Sequence, residues 1–159
     1  VRVVHGQHAA LFMGDSEREA EASLLGAERE RLRATLLKVG HHGSRYASSE
    51  KFLRQGGFEA AVISDGADNR YGHPSQDALD RFRQLGAKLY RTDLQGEITI
   101  TTKGRLDSSK LYEIKPTKEA TEDIWLGREG SKDDSSRSGF IAYGDFGPPP
   151  KPRATPKKR

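Results

Sequence analysis

Short apolar runs alternate with polar stretches over the first hundred residues of the chain. Six of these runs are predicted as β-strands because they are short and partly β-branched: Val1–Val4, Ala9–Met13, Thr35–Val39, Ala60–Ser64, Lys88–Tyr90 and Glu97–Thr102. The first two strands form a hairpin about a His5-Gly6-Gln7 turn, and His5 and His8, which flank the turn, are expected to be solvated. A second turn is predicted at Leu94-Gln95-Gly96.

Capping residues and helical spacing place three helices between these strands. They run from Ser16, with Glu19 at capping-box spacing, to about Gly26; from Ser48 or Ser49 to Gly56-Gly57; and from Ser75 to Gly86. The third helix has the clearest apolar face, at Ala78, Leu79, Phe82 and Leu85. The order β-β-α-β-α-β-α-β-β predicts a layered α/β domain over residues 1–104.

The character of the sequence changes after Lys103. Residues 105–129 are polar with scattered apolar side chains, Trp125 among them, and are predicted to lie along the surface of the domain. From Gly130 to Arg159, Ser, Asp, Gly, Pro and Lys dominate, and the proline-rich Gly147–Pro152 favours extended polyproline conformation. Burial in such a composition cannot offset the entropy of ordering, so residues 130–159 are predicted to be a disordered basic tail.

Composition and charge narrow the function classes. Of 159 residues, 33% are hydrophobic and 31% are charged, which suits one domain with an appendage. Five of the 27 Lys and Arg residues lie in Pro148–Arg159, which has no acidic residue, so the remainder carries 22 basic and 23 acidic residues, a net charge of −1. The globular part therefore has no overall nucleic-acid signature. The absence of Cys excludes disulfides and thiolate metal sites.

Two further features concern the chain as a segment. It begins at Val1, inside a predicted strand and without an initiating Met, so we expect sequence upstream of it to be missing. The sequence has no apolar stretch long enough to cross a bilayer and no visible signal peptide, so no membrane contact is expected from this segment itself.

Three polar clusters each follow an apolar run. They are Gly14-Asp15, the Gly40–Ser44 loop with adjacent His41 and His42, and the Asn69–Ser75 loop with His73. Because the ends of neighbouring strands can converge, we expect these side chains to meet in one cleft. Carboxylates and imidazoles are ligands that divalent metals accept, so the sequence points to a metal-dependent hydrolase.

Each residue in these clusters has more than one interpretation. Asp15 could bridge two cations through its two oxygens, or it could cap the following helix. Since adjacent residues at a strand end point in opposite directions, one of His41 and His42 could bind metal while the other contacts substrate or moves a proton. The Ser44 hydroxyl could hold a phosphate oxygen or orient an imidazole.

The Asn69–Ser75 loop offers candidates for substrate contact. His73 could bind metal, act as an acid toward a phosphate, or merely pack before Pro74, and Arg70 could pair with an anionic substrate. Asn69 is a further candidate for substrate binding. Asp65 and Asp68 are predicted to be turn residues.

These motifs together resemble a known family. Leu11–Asp15, Leu37–Ser44, and Ala61–Ser64 followed by Asn69–Ser75 are similar, in content and order, to the second half of the metallo-β-lactamase-fold hydrolases. The most similar branch is the hydrolase domain of ComEC-type DNA-uptake (competence) proteins. The resemblance covers residues 1–104 and not the tail.

The resemblance implies the second half of a four-layer αββα sandwich with two divalent ions, zinc or manganese, at its edge. It puts Asp15 and His42 at the metals and makes His41 and His73 candidates for catalysis, while Ser44, Asn69 and Arg70 become candidates for substrate binding. The implied reaction is cleavage of phosphodiesters, including single-stranded DNA. The implied location is outside the cytoplasmic membrane if the chain is part of a ComEC-type protein, and the cytoplasm otherwise.

One departure from the family matters for activity. The family's principal metal motif, His-x-His-x-Asp-His, belongs to the first half of the fold and does not occur here. We therefore expect the chain to need an N-terminal half of the same domain as its partner, and to hold metal weakly and turn over little when isolated.

Two other function classes remain open at this stage. A metal-free module could bind nucleic acid through the tail and through Arg70, Arg81, Arg83 and Arg91. Alternatively, the proline-rich tail could be a ligand for a partner domain.

Overall fold

The computed structural model describes residues 1–27, 29–104 and 112–129. Within them, a five-stranded sheet has the order β1-β2-β3-β4-β5, with β1 antiparallel to β2 and the other four strands parallel. A separate antiparallel pair is formed by β6 and β7. The strands are β1 Arg2–His5, β2 His8–Phe12, β3 Leu36–Lys38, β4 Ala60–Ile63, β5 Lys88–Arg91, β6 Ile98–Thr102 and β7 Tyr112–Pro116. The prediction of a mixed α/β domain is confirmed.

Helices connect the parallel strands. They are α1 Arg18–Ala27, α2 Glu50–Gly56, α3 Gln76–Leu85 and the short α4 Thr92–Gln95, with 3-10 turns at Arg29–Leu32 and Gly40–Gly43. The Ser75 hydroxyl accepts a hydrogen bond from the Ala78 amide and so caps α3, as the sequence predicted. The same helix ends at Gly86 in the left-handed conformation. None of the described helices is long and apolar enough to cross a bilayer.

The sheet has a packed layer on each face. Alternate strand residues such as Leu11, Leu37 and Ile63 form one core with Phe52 of α2 and Phe82 of α3. The opposite face is covered by the β6–β7 pair, since the buried strand residues Ala10, Leu36, Ala60 and Val62 pack with Ile98, Ile100, Tyr112 and Ile114. The described residues thus form three layers, helix, sheet and hairpin. A fourth layer stays a prediction.

Two local expectations were wrong. His8 was expected to be solvated, but it is only 4% exposed, and its Nδ1 lies 2.6 Å from the Thr35 hydroxyl while its ring contacts Tyr112. Residues Thr92–Gln95 form a helical turn that ends at Gly96, rather than a simple turn at Leu94–Gly96. The burial of His8 comes from partners that are distant in sequence, Thr35 and Tyr112. The helical turn at Thr92–Gln95 contains buried polar residues, which local patterns do not predict.

The segment predicted as a surface extension, 105–129, contains β7 and a packed strap at Asp123–Arg128. Arg91 donates hydrogen bonds to the Ile124 and Leu126 carbonyls at 3.0 and 2.6 Å, and Ile124 packs against the main core. The Arg128 amide donates to the Pro74 carbonyl at 2.9 Å. The strap therefore joins the end of β5 to the loop that carries His73. The predicted tail lies outside the described residues.

Candidate active site

The register of the parallel strands sets where the candidate residues lie. Phe12 pairs with Lys38, Lys38 with Val62, and Val62 with Tyr90, so β2 to β5 end side by side. The loops that follow these ends meet at the carboxyl edge of the sheet. The His41 amide donates to the Gly14 carbonyl at 2.8 Å, which ties the loop after β3 to the loop after β2.

Asp15 and His42 face each other across these two loops. The distance from Asp15 Oδ1 to His42 Nε2 is 3.9 Å, and the Asp15 side chain is 81% exposed. His42 Nδ1 lies 2.6 Å from the Ser64 carbonyl oxygen, which can only accept, so Nδ1 carries a proton. In the neutral ring the lone pair is then on Nε2, toward the carboxylate. A backbone carbonyl that fixes the tautomer in this way is common for metal-binding histidines.

Both histidines of the pair have strained backbones. His41 and His42 have φ angles of 42° and 52°, in the left-handed region that side chains with a Cβ rarely adopt. The flanking glycines are required by close packing, because a Cβ at Gly40 would lie 2.7 Å from the Ser16 carbonyl oxygen and one at Gly43 would lie 2.7 Å from Pro74 Cβ. Strain of this kind costs free energy and is concentrated at functional sites.

His41 is oriented by a carboxylate that the sequence reasoning missed. His41 Nδ1 lies 2.8 Å from Glu17 Oε1, so Nδ1–H donates to the carboxylate and Nε2 is left to accept or donate a proton. The rings of His41 and His73 approach edge to face, with centroids 5.6 Å apart. The available signal for Glu17 was its position two residues after Asp15, because both carboxylates lie in the loop between β2 and α1.

His73 is partly buried in the loop before Pro74. Its Nδ1 is buried and has no hydrogen-bond partner among the described residues. Burial lowers the pKa of the His73 imidazole, and the neighbouring His41 and His42 lower it further. Burial and the neighbouring imidazoles therefore favour the neutral form of His73.

The three predicted substrate-binding residues occupy different environments. Asn69 clamps its own loop, since its Oδ1 accepts from the His73 amide and its Nδ2 donates to the His73 carbonyl. The exposed Arg70 guanidinium lies over the ring of Tyr71. Ser44 is only 3% exposed, and its Oγ accepts from the Tyr46 amide at 3.3 Å. The structure thus ties Asn69 to the His73 backbone, puts Arg70 over Tyr71 and puts the Ser44 hydroxyl inside a turn.

Two more ionisable groups lie at the same edge. Asp65, which follows β4, accepts from the Gly66 amide through Oδ1, while its Oδ2 is buried without a hydrogen-bond partner among the described residues. Burial raises the pKa of this carboxyl. Burial also lowers the pKa of Lys38, against the opposing effect of the Asp15 and Asp65 carboxylates. The place of Asp65 after a buried strand, like that of Asp15, could have marked it as more than a turn residue.

The side chains at this edge are of the types that bind a divalent cation, but the described residues supply too few of them for one complete site. Asp15 and His42 offer one carboxylate oxygen and one imidazole nitrogen, which are ligands that zinc and manganese accept. Across residues 1–27, 29–104 and 112–129, no group of three or more His, Asp or Glu side chains is arranged to hold one ion. The described edge therefore supplies a partial ligand set.

The arginines invoked for a nucleic-acid module have structural roles in two cases. Arg91 is fully buried and pairs with Asp93 at 2.6 Å. Arg81 donates to the carbonyls of Ser48, Ala47 and Arg45 at 2.8 to 3.0 Å. Both guanidinium groups are engaged within the fold, so two of the four arginines named for that function, beside the tail, have structural roles.

Sequence comparisons relate the chain to proteins of bacterial competence and recombination. It is 35% identical to ComE operon protein 3 of Bacillus subtilis over 112 residues, which is 70% of this chain and 14% of that protein. It is 43% identical to competence protein ComA of Neisseria gonorrhoeae over 98 residues, 62% of this chain and 14% of that protein. Recombination protein 2 of Haemophilus influenzae is 29% identical over 103 residues, 63% of this chain and 12% of that protein.

The chain spans about one seventh of the length of ComE operon protein 3 and of competence protein ComA. No model of a known protein family and no solved structure matches it significantly. The chain that carries the candidate site is homologous to a segment of ComE-operon, competence and recombination proteins.

Proposed function

We propose that the chain is part of a metal-dependent phosphodiesterase of the metallo-β-lactamase superfamily that acts on DNA during uptake. The observation that carries the proposal is the opposition of Asp15 Oδ1 and His42 Nε2 at 3.9 Å, with His42 Nδ1 held by the Ser64 carbonyl. A carboxylate and a tautomer-fixed imidazole at one strand edge suit a shared cation. The names of the relatives, which refer to competence and recombination, support DNA as the polymer.

The proposal includes a zinc or manganese pair held by Asp15 and His42 together with ligands from an N-terminal half of the domain. Such a pair, when bound, supplies a water of lowered pKa and neutralises charge on a phosphoryl oxygen. The incomplete ligand set within the described residues supports the need for that second half. An extracytoplasmic location and a four-layer sandwich belong to the same proposal.

His41 is the proposed proton-transfer group. Glu17 fixes the ring through Nδ1 at 2.8 Å, so that Nε2 is left to donate a proton to the leaving oxygen. A positioned acid of this kind contributes about 10²- to 10⁴-fold in rate.

His73 has a complementary role. Burial favours its neutral form, and its ring centroid lies 5.6 Å from that of His41. A neutral imidazole can donate one hydrogen bond to a phosphate oxygen without competing with His41 for charge. His73 is therefore assigned to substrate contact.

The test uses the full-length protein and a labelled single-stranded oligonucleotide, with manganese or zinc added. Wild type should cleave the strand, and cleavage should stop on chelation. Asp15→Ala and His41→Ala should each lower the rate by at least about 100-fold, whereas Asp77→Ala, an exposed aspartate on the first turn of α3, should leave it unchanged.

Two outcomes contradict the proposal. Cleavage that is equal in wild type and Asp15→Ala would show that the site is not the seat of the reaction. DNA binding without cleavage that survives Asp15→Ala but is lost when residues 130–159 are removed would favour a binding module instead.

A further inference from the structure

An exposed aromatic ring stands beside the candidate catalytic histidines without being part of the core. Tyr71 is 63% exposed and lies two residues before His73. Its ring is nearly parallel to the His73 imidazole, with an interplanar angle of 26° and centroids 6.4 Å apart. Tyr71 thus extends a stack of rings from the site into solvent.

The loop that carries Tyr71 is held in place by one side chain. Asn69 accepts from the His73 amide at 3.0 Å and donates to the carbonyls of His73 and Gly66 at 2.6 and 3.0 Å. These three bonds close the loop across Tyr71 and fix both of its ends. A ring presented in this way loses little conformational entropy when a ligand stacks on it.

Arg70 gives the ring a cationic neighbour. The guanidinium carbon lies 5.3 Å from the Tyr71 ring centroid, and an Arg70 NH2 donates to the Tyr71 hydroxyl at 3.4 Å. An aromatic ring in contact with a guanidinium is the combination that single-stranded nucleic acid sites use, because a base stacks on the exposed part of the ring while a phosphate pairs with the charge.

We propose that Tyr71 is a stacking platform for one unpaired nucleobase adjacent to the phosphodiester that is cleaved. The platform makes the site selective for strands whose bases are free to leave a duplex. This inference rests on the proposed phosphodiester function but concerns recognition, and it is tested without any chemical step.

The experiment measures oligonucleotide binding by fluorescence anisotropy, with full-length protein in the presence of EDTA so that cleavage plays no part. Single-stranded, duplex and fully abasic strands of equal length are compared. Tyr71→Ala should weaken binding of the normal single strand by roughly 5- to 150-fold, as expected for loss of one base-aromatic stack. It should leave the abasic strand and the duplex unchanged.

Two variants serve as controls. Tyr71→Phe keeps the ring and should retain wild-type affinity. Tyr46→Ala removes another exposed tyrosine, outside the Asn69–His73 loop, and should have no effect. The inference is overturned if wild type fails to bind the normal strand, if Tyr71→Ala weakens the normal and abasic strands equally, or if it weakens neither. Base-selective binding in a protein that does not cleave DNA would sink the proposed hydrolysis and leave the platform standing.

Discussion

Two charged clusters lie at the same end of the sheet and are built on opposite principles. In the first, Arg91 is fully buried, pairs with both carboxylate oxygens of Asp93 and donates its remaining bonds to strap carbonyls, while Arg128 pairs with the same carboxylate. In the second, around Asp15 and the histidines, Asp65 Oδ2 and His73 Nδ1 are buried without hydrogen-bond partners among the described residues.

The difference shows how polar groups that stabilise the fold can be told from polar groups that are available to a ligand. A closed cluster satisfies its charges internally and holds segments together, whereas an open one keeps donors and acceptors for something outside the chain. The open cluster also carries the backbone strain of His41 and His42. Sequence alone shows charged residues in both places, and only the hydrogen-bond partners tell them apart.

Breaking the closed cluster should have the largest effect on stability. Arg91→Met leaves the buried Asp93 carboxylate without its bidentate partner, so we expect a loss of about 3–5 kcal/mol in the free energy of unfolding. Chemical denaturation followed by circular dichroism measures this.

The double variant Arg91→Met, Asp93→Leu is the matched control. Removing both charges leaves no unpaired carboxylate, so the double variant should be more stable than Arg91→Met alone. A loss of less than about 1 kcal/mol in the free energy of unfolding of Arg91→Met would be ordinary for an exposed ion pair. It would mean that the cluster does not hold the strap as described.

Removing the backbone strain in the open cluster should lower activity without lowering stability. His41→Gly accepts the φ of 42° without strain, and it also removes the ring that Glu17 orients. We expect stability to stay equal or rise by up to about 1 kcal/mol, while the cleavage rate falls about 10²- to 10⁴-fold. Denaturation and oligonucleotide cleavage are measured on the same preparation.

Ser48→Gly controls for the backbone effect alone. Ser48 also has a positive φ, 59°, but lies outside the candidate site. It should gain stability and keep activity. A marked loss of stability in His41→Gly would mean that the histidine is retained for the fold rather than for chemistry.

The smallest effect concerns a histidine far from either cluster. Burial lowers the pKa of His8, so the folded state disfavours its protonated form. The unfolded chain then binds more protons below its pKa of about 6.5, and the His8 contribution to stability is complete above that pH and is lost as the pH falls toward the folded-state pKa.

Denaturation of wild type and His8→Gln between pH 5 and 8 measures that contribution. The variant should show a shallower loss of stability below about pH 6.5. Identical slopes in wild type and His8→Gln would assign the pH dependence to other groups.

Much of the fold could be predicted because its signals are local. Ser75 and Gly86 bound α3 where the capping chemistry indicated, and the short apolar runs became strands. Strand β7 was missed although Tyr112–Pro116 alternates apolar and polar residues, because the run is short and ends in Pro; its pairing with β6 stabilises it. The burial of His8 depends on Tyr112, more than a hundred residues away, which no local pattern reveals.

The candidate site was only partly predictable for the same reason. The strand-end positions of Asp15, His41, His42 and His73 were readable, and the structure brings these residues to one edge. The carboxylate that orients His41, from Glu17, and the carbonyl that fixes His42, from Ser64, are set by loop geometry. The hydrogen-bond partner of a polar atom depends on the folded structure and cannot be predicted from local sequence.

Metal binding at Asp15 and His42 is the claim on which the account depends most. Inductively coupled plasma mass spectrometry of the full-length protein, after equilibration with zinc or manganese and desalting, measures it directly. We predict about two ions per chain, the binuclear centre that two-metal hydrolases use, a loss of bound metal in both Asp15→Ala and His42→Ala, and wild-type content in Asp77→Ala. Equal metal content in wild type and both site variants, or no bound metal in wild type, would contradict the account.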